Sequence, residues 1–374
     1  MDTFQYTATD GTAFATATVT VNVLDVPNVA PLIDDGGLIV GQRIVSISNA
    51  NAVGSFNNDP LPLFPEPIDE TLVLSTGTVA VAIDNTSAGQ DNKLFAPEER
   101  GEAFDPVVIE FTINVPVGHN FLSFDYFFAS NEFPANRGTE FGDTFIAELD
   151  QTTWTVAANG TVTAPNDFAF DSDNQPLSVN SVFFQNQRVI TQTGTFLNGS
   201  TPLLNAGTPI TPGEHTLYLS LFDVGDGQVD STVFIRNLRT STLEAPDTGT
   251  VQFPLPQQDW APHPGVGQPV VIPVLENDLQ LDGRPLSVVP GGFTDVTNGV
   301  VLVSPDRQSV IFIPNSNDKG EFTYTVTDSR GLMATAEVEV VPLVTKTQSR
   351  STTPEGADVR YQAGIARGTL DNNL

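Results

Sequence analysis

Apolar residues along this chain recur with a period of two, in short runs, and no stretch shows the 3.6-residue period of an amphipathic helix. The alternation is plainest in Ala15-Thr16-Ala17-Thr18-Val19-Thr20-Val21 and in Phe322-Thr323-Tyr324-Thr325-Val326-Thr327. Longer apolar runs at 107–115, 121–128, 144–149 and 215–222 are each closed by Gly, Asn, Pro or Asp, the residues that terminate strands and form turns. A chain patterned in this way can bury its apolar side chains only by stacking sheets. Composition agrees: Lys occurs three times and the charged fraction is 16%, too little for long surface helices. The expected fold class is therefore all-β, with a central antiparallel β-sandwich domain.

A self-comparison adds domain organisation. Phe4-Gln5-Tyr6-Thr7-Ala8-Thr9-Asp10 matches Phe322-Thr323-Tyr324-Thr325-Val326-Thr327-Asp328, and the 15–21 run matches 334–340. Each copy predicts a hairpin. Strand-like sequence precedes the second copy for about 55 residues but is missing before the first, and an isolated hairpin is marginal in water. Residues 1–29 are thus expected to be the terminal hairpin and linker of a truncated repeat, unless the hairpin extends the neighbouring sheet. A central domain is expected over 30–246, a second sandwich over 247–342 after a Pro-rich extended linker (245–264), and a flexible polar tail over 343–374.

The net charge of −30, from 45 acids and 15 bases, excludes nucleic acid and anionic membranes as partners. No segment is long and apolar enough to insert into a membrane. The absence of Cys removes disulfides, thiolate zinc and cysteine catalysis. The N-terminus lacks the features of a signal peptide, so the sequence reads as an internal stretch of a longer exported chain whose neighbouring domains are its partners. Residues 30–246 hold 27 of the acids against 7 bases, a local charge of −20.

Those acids cluster after two strands. Glu132, Glu140 and Asp143 follow the 121–128 run; Asp223, Asp226 and Asp230 follow the 215–222 run, spaced by glycines that permit tight turns. Carboxylates gathered by turns, with few bases to neutralise them, suit a hard cation, and Ca²⁺ takes six to eight oxygens. The spacing is not that of an EF-hand. Turn formation alone would account for a single Asp-Gly pair, but not for two acidic loops in so acidic a body.

Phe124-Asp125-Tyr126-Phe127-Phe128-Ala129-Ser130-Asn131-Glu132-Phe133-Pro134, with Phe141-Gly142-Asp143-Thr144-Phe145, resembles the signature of the bacterial choice-of-anchor domains. The stretch 223–235 is similar to that family's late motif and 175–180 to an intermediate one. The resemblance spans about 200 residues and implies a secreted or surface protein. Val274-Leu275-Glu276-Asn277-Asp278 with Asp282-Gly283-Arg284-Pro285-Leu286 resembles the cadherin-like or immunoglobulin-like repeats of large bacterial adhesins. It implies an immunoglobulin/cadherin-like β-sandwich with Asp278 and Asp282 as cation ligands. The 23–31 stretch is similar to the interdomain calcium linker of such arrays, which adds Asp25 and Asn28.

The three histidines are scattered, and no nucleophile elbow or phosphate loop occurs. A hydrolase built on Glu132, Glu140 and Asp143 would use the same residues but needs a cleft, which a cation site does not. The expectation is an extracellular or cell-surface, calcium-stabilised segment that acts by structure and adhesion, not catalysis. The alternative is an adhesin module that holds a peptide or glycan through a calcium-bridged site.

Overall fold

The computed structural model describes residues 2–9, 11–21, 28–33, 36–56, 71–82, 96–139, 141–184, 189–191, 195–225, 227, 229–280 and 282–343. Among these the regular elements are strands joined by short 3-10 turns. The hairpin Asp2–Thr9/Phe14–Val21 forms its own two-stranded sheet, with Tyr6 and Phe14 exposed, and extends neither neighbouring sheet.

The central domain is a sandwich. One sheet orders its strands as Gly249–Gln252, Leu204–Pro209, Phe121–Ser130, Ser231–Ser241, Thr71–Ser75 and Val53–Phe56, with Gly199–Ser200 paired beside Phe121–Ser130. The facing sheet runs Ile39–Ser46, Ala103–Val115, Gly213–Val224, Thr144–Leu149. Alternation along the strands sends Phe124, Tyr126 and Phe128 inward against Ile109, Phe111, Phe145, Leu219 and Leu221. The outward-pointing set is covered too. Phe127 stacks on Phe234 at 4.4 Å under Val81 and Leu197, and on the other sheet Trp154 stacks on Phe222 at 4.1 Å. All ten residues of Phe121–Ser130 are consequently buried, which is why that strand reads as continuously apolar.

The second sandwich pairs the sheet Asp259–His263, Met333–Pro342, Gly320–Thr327, Ser287–Thr297 with the sheet Val270–Ile272, Val310–Pro314, Gly299–Val303. Its core centres on Phe312 stacked on Phe322, with Tyr324, Val326, Val338 and Val340. Asp259–His263 runs parallel to Met333–Pro342, from Asp259 opposite Val338 to His263 opposite Pro342.

The Pro-rich stretch is not the extended linker expected from its composition. Gly249–Gln252 is the edge strand of the central domain and Asp259–His263 the edge strand of the second, where Pro262 is tolerated because an edge position needs no donor on its outer side. Arg330, in the turn before Met333–Pro342, reaches back across the junction. It donates from Nη1 to the carbonyls of Gly249 (3.1 Å) and Asn205 (3.3 Å) and lies 5.3 Å over the Phe121 ring. Beyond Leu343 the expected tail lies outside the described residues.

Candidate functional site

Both acidic loops leave the same end of the central sandwich. Phe222 pairs with Thr144, which sets Asp223 beside Asp143, and Ser231 pairs with Ser130, which brings Asp230 and Glu132 to the same rim. Thr76, just past Thr71–Ser75, ties the two sheets together there: its hydroxyl accepts from Ser231 N at 3.0 Å and donates to Asp143 Oδ2 at 3.3 Å. Glu132 Oε2 accepts from Asp143 N at 2.9 Å, and Glu132 N donates to Ser130 Oγ. A Cβ at Gly77 would overlap the Asp230 carboxylate, so this position is open only to glycine without rearrangement.

Glu132, Asp143, Asp223 and Asp230 are each at most 2% exposed. Burial pushes the Asp143 and Asp223 carboxyls well above the ordinary carboxylate range. The charges acting on them are themselves carboxylates: Asp223 and Glu132 on Asp143, Asp105 and Asp230 on Asp223. Asp143 and Thr76 lie near enough to interact with Asp223, yet neither of its carboxylate oxygens has a hydrogen bond of good geometry from the described residues. An uncompensated carboxylate so placed is costly unless it takes up a proton or a cation. Among the described residues no group of three or more His, Asp or Glu side chains is arranged to hold a metal ion. Glu140 and Asp226, expected as ligands from the same two loops, lie outside the described residues.

The remaining expected ligands are dispersed. Asp25 lies outside the described residues, and Asn28 Oδ1 accepts from Ala30 N in a local turn. Asp282 is taken by Arg284, which donates to it from N and Nε. Asp278 accepts from Gln257 N at 2.9 Å and from the Tyr324 hydroxyl at 3.0 Å. Asp259, not anticipated, sits beside it, raised to about 6 first by burial and then by the Asp278 charge.

Further buried acids escaped the sequence reading. Asp105, in the left-handed region at φ 43°, adds its charge to Asp223 across the strand pair, and Asp171 spends its carboxylate on the amides of Asp173, Gln175 and Val182. Glu148 and Asp167 face each other across an isolated bridge, each with one buried oxygen lacking a partner among the described residues. Burial lifts Asp167 to about 7; amides of Ala169 and Ala147 oppose the rise, and Glu148 adds to it. The available signal was an acid inside an apolar run, as in Phe145-Ile146-Ala147-Glu148-Leu149.

A family model described as the choice-of-anchor L domain matches residues 32–239, and one described as a bacterial Ig domain matches residues 252–341. No curated protein matches the chain. Among solved structures, a nucleoside hydrolase-related hypothetical protein from Saccharophagus degradans is 18% identical, with 25% of this chain and 26% of that one covered and a TM-score of 0.19. A carbohydrate-binding module specific for non-crystalline cellulose is 12% identical over 58% of this chain and 96% of its own, with a TM-score of 0.30. The M60 catalytic domain with two carbohydrate-binding modules of Clostridium perfringens ZmpB is 10% identical over 91% of this chain and 26% of its own, with a TM-score of 0.21. The chain thus spans about a quarter of the first and third of these structures. Among the described residues no helix is long and apolar enough to cross a membrane. With the signature strand, both acidic loops and the late motif falling inside residues 32–239, the chain belongs to the choice-of-anchor L domain family, followed by a bacterial Ig-like domain.

Proposed function

We propose that this chain is a calcium-stabilised structural and adhesive segment of an extracellular bacterial surface protein, working through its domains and their neighbours in a longer chain rather than by catalysis. The two matched families, of surface-anchor and immunoglobulin type, support the surface role. The observation that carries the calcium reading is Asp223: a buried carboxylate with no well-formed hydrogen bond from the described residues, pressed against Asp143 and facing the charge of Asp105. Asp143 and Asp223 are the oxygen donors; Thr76 and Glu132 hold Asp143 in place. Oxygen-only donors of this kind suit Ca²⁺, and the cation would relieve the mutual repulsion of the cluster.

An ion that binds only the folded state stabilises it by RT ln(1 + [L]/Kd), about 2.7 kcal/mol at a hundredfold excess over Kd. For a domain of this size that raises the melting midpoint by roughly 5–10 °C. The test is thermal unfolding of the whole chain in EDTA, in millimolar Ca²⁺ and in Mg²⁺. A midpoint that rises with Ca²⁺ and falls back on chelation supports the reading; superimposable curves in EDTA and Ca²⁺ overturn it.

A further inference from the structure

Beside the acidic rim the central domain carries a groove that neither sheet needs for its packing. One wall is the turn of the small hairpin Thr155–Val156/Val162–Thr163; the other is the 174–180 loop. Between them lies a cleft of about 320 Å³. It shares Asn159 and Gly160 with a cleft of about 140 Å³ beside Phe104 and Phe141, and Gln175 and Pro176 with one of about 400 Å³ beside Phe170. Sharing these wall residues, the three clefts lie side by side as a furrow, and a half-exposed phenylalanine lines each of the outer two.

Both walls are fixed in advance. The hairpin turn is closed by Ala157 N to Thr161 O at 2.9 Å and Thr161 N to Asn159 Oδ1 at 3.2 Å. The opposite loop is stapled from below by buried Asp171, which accepts from Asp173 N, Gln175 N and Val182 N at 2.8–3.0 Å. Preorganisation of this kind lowers the ordering cost of binding. Along these walls the Asn159 amide nitrogen, the Thr161 hydroxyl and the Gln175 amide oxygen have no partner among the described residues, and all three residues are exposed. At the Phe170 end the wall includes Asp167, only 7% exposed, whose Oδ2 has no donor among the described residues.

Among the described residues the central cleft has no charged side chain on its wall. It offers amides and hydroxyls, which donate and accept at once, matching the hydroxyl groups of a sugar. The flanking phenylalanines offer flat apolar faces for the C–H side of a ring. A peptide would instead need a long open strand edge or deep apolar pockets, and the hairpin strands here are two residues each. The overall charge of −30 disfavours an acidic polysaccharide. We propose that the furrow running from Phe141 past Asn159, Thr161 and Gln175 to Phe170 binds a neutral glycan chain. The proposal goes beyond the structural reading and stands without it, since no carboxylate of the Asp143–Asp223 cluster is invoked.

The test is affinity electrophoresis and titration calorimetry of the whole chain with xyloglucan, mixed-linkage β-glucan, galactomannan and xylan as neutral probes and polygalacturonate as the anionic one. Retardation by a neutral probe, weakened at least about tenfold in Thr161→Val/Gln175→Ala, is the expected result. Both side chains are exposed, so the melting curve of the variant should overlay that of the parent. Lack of retardation by every neutral probe, retardation by polygalacturonate alone, or retardation indifferent to the double variant would each overturn the proposal. So would selection, from a displayed peptide library, of sequences whose capture that variant abolishes. Repeating the runs in EDTA separates the two readings: glycan capture with a calcium-insensitive melt defeats only the cation site, and a calcium-dependent melt without capture defeats only the groove.

Discussion

Arg330 Nε donates to Asp247 Oδ1 at 3.0 Å, joining a turn of the Ig-like domain to the segment that leaves the central sandwich. The Arg330 side chain is 2% exposed while Asp247 is 41% exposed, so the guanidinium is the buried partner. Arg284 donates to the other oxygen of Asp247, and together the two arginines hold that carboxyl below its usual range against the opposing effect of burial. The contact couples two domains that the sequence presents as separate bodies.

Arg330→Ala removes this coupling at its centre. Hydrogen bonds to a charged group contribute about 2 kcal/mol each at most, and here the loss falls on the junction. The parent should unfold in calorimetry as one cooperative transition and the variant as two. A variant that keeps a single transition at the parent's temperature would show that the domains are not coupled through Arg330.

Asp223→Asn should act in opposite directions with and without metal. In EDTA it removes a buried charge surrounded by other carboxylates, so the midpoint should rise. In Ca²⁺ the same change deletes a proposed ligand, so the calcium-induced rise should shrink to a small fraction of the parent's. A lower midpoint in EDTA with an intact calcium response would contradict both halves.

Asp167 sets a pH window. With its folded value at about 7 against about 4 when unfolded, the native state binds the proton more tightly. Stability from this group is complete below about pH 4 and declines as pH rises to about 7. Asp167→Asn keeps an oxygen for the amides of Ala147 and Ala169 and adds a donor on the side of Glu148. Its unfolding midpoint should exceed the parent's at pH 8 and converge with it near pH 4, as read by circular dichroism. An unchanged slope between these limits would exclude Asp167 as the titrating group.

Trp154→Ala should cost about 4 kcal/mol. The indole stacks on Phe222, donates from Nε1 to Ser220 Oγ at 3.1 Å and carries Arg100 over its face at 4.7 Å. Because Trp260 is 62% exposed, the blue-shifted part of the native fluorescence should vanish with Trp154, and denaturant titration gives the energy. A loss below about 1 kcal/mol would mean the outer layer contributes little.

The local signals of the sequence were sufficient for the all-β class, the paired hairpins and four strands of the central domain, those of the 107–115, 121–128, 144–149 and 215–222 runs, because alternation and turn residues act over a few positions. Glu132, Asp143, Asp223 and Asp230 were legible as two acidic loops, and the pairing of Phe222 with Thr144 and Ser231 with Ser130 brings them to one rim. Thr76 and Asp105 were not, since their place depends on strand register with residues more than a hundred positions away, such as Ser231 and Asp223. The Pro-rich segment misled for a related reason: its composition suits an extended chain, and only the edges offered by Leu204–Pro209 and Met333–Pro342 turn it into strands.

The parallel pairing of Asp259–His263 with Met333–Pro342 gives the Ig-like domain a mechanical character. These are the strands through which the chain enters and leaves it, so tension along the chain pulls them in opposite directions along their shared length. The hydrogen bonds between them are then loaded together, in shear, instead of opening one after another from an end. A domain built on this register yields to such tension only when the whole ladder slips.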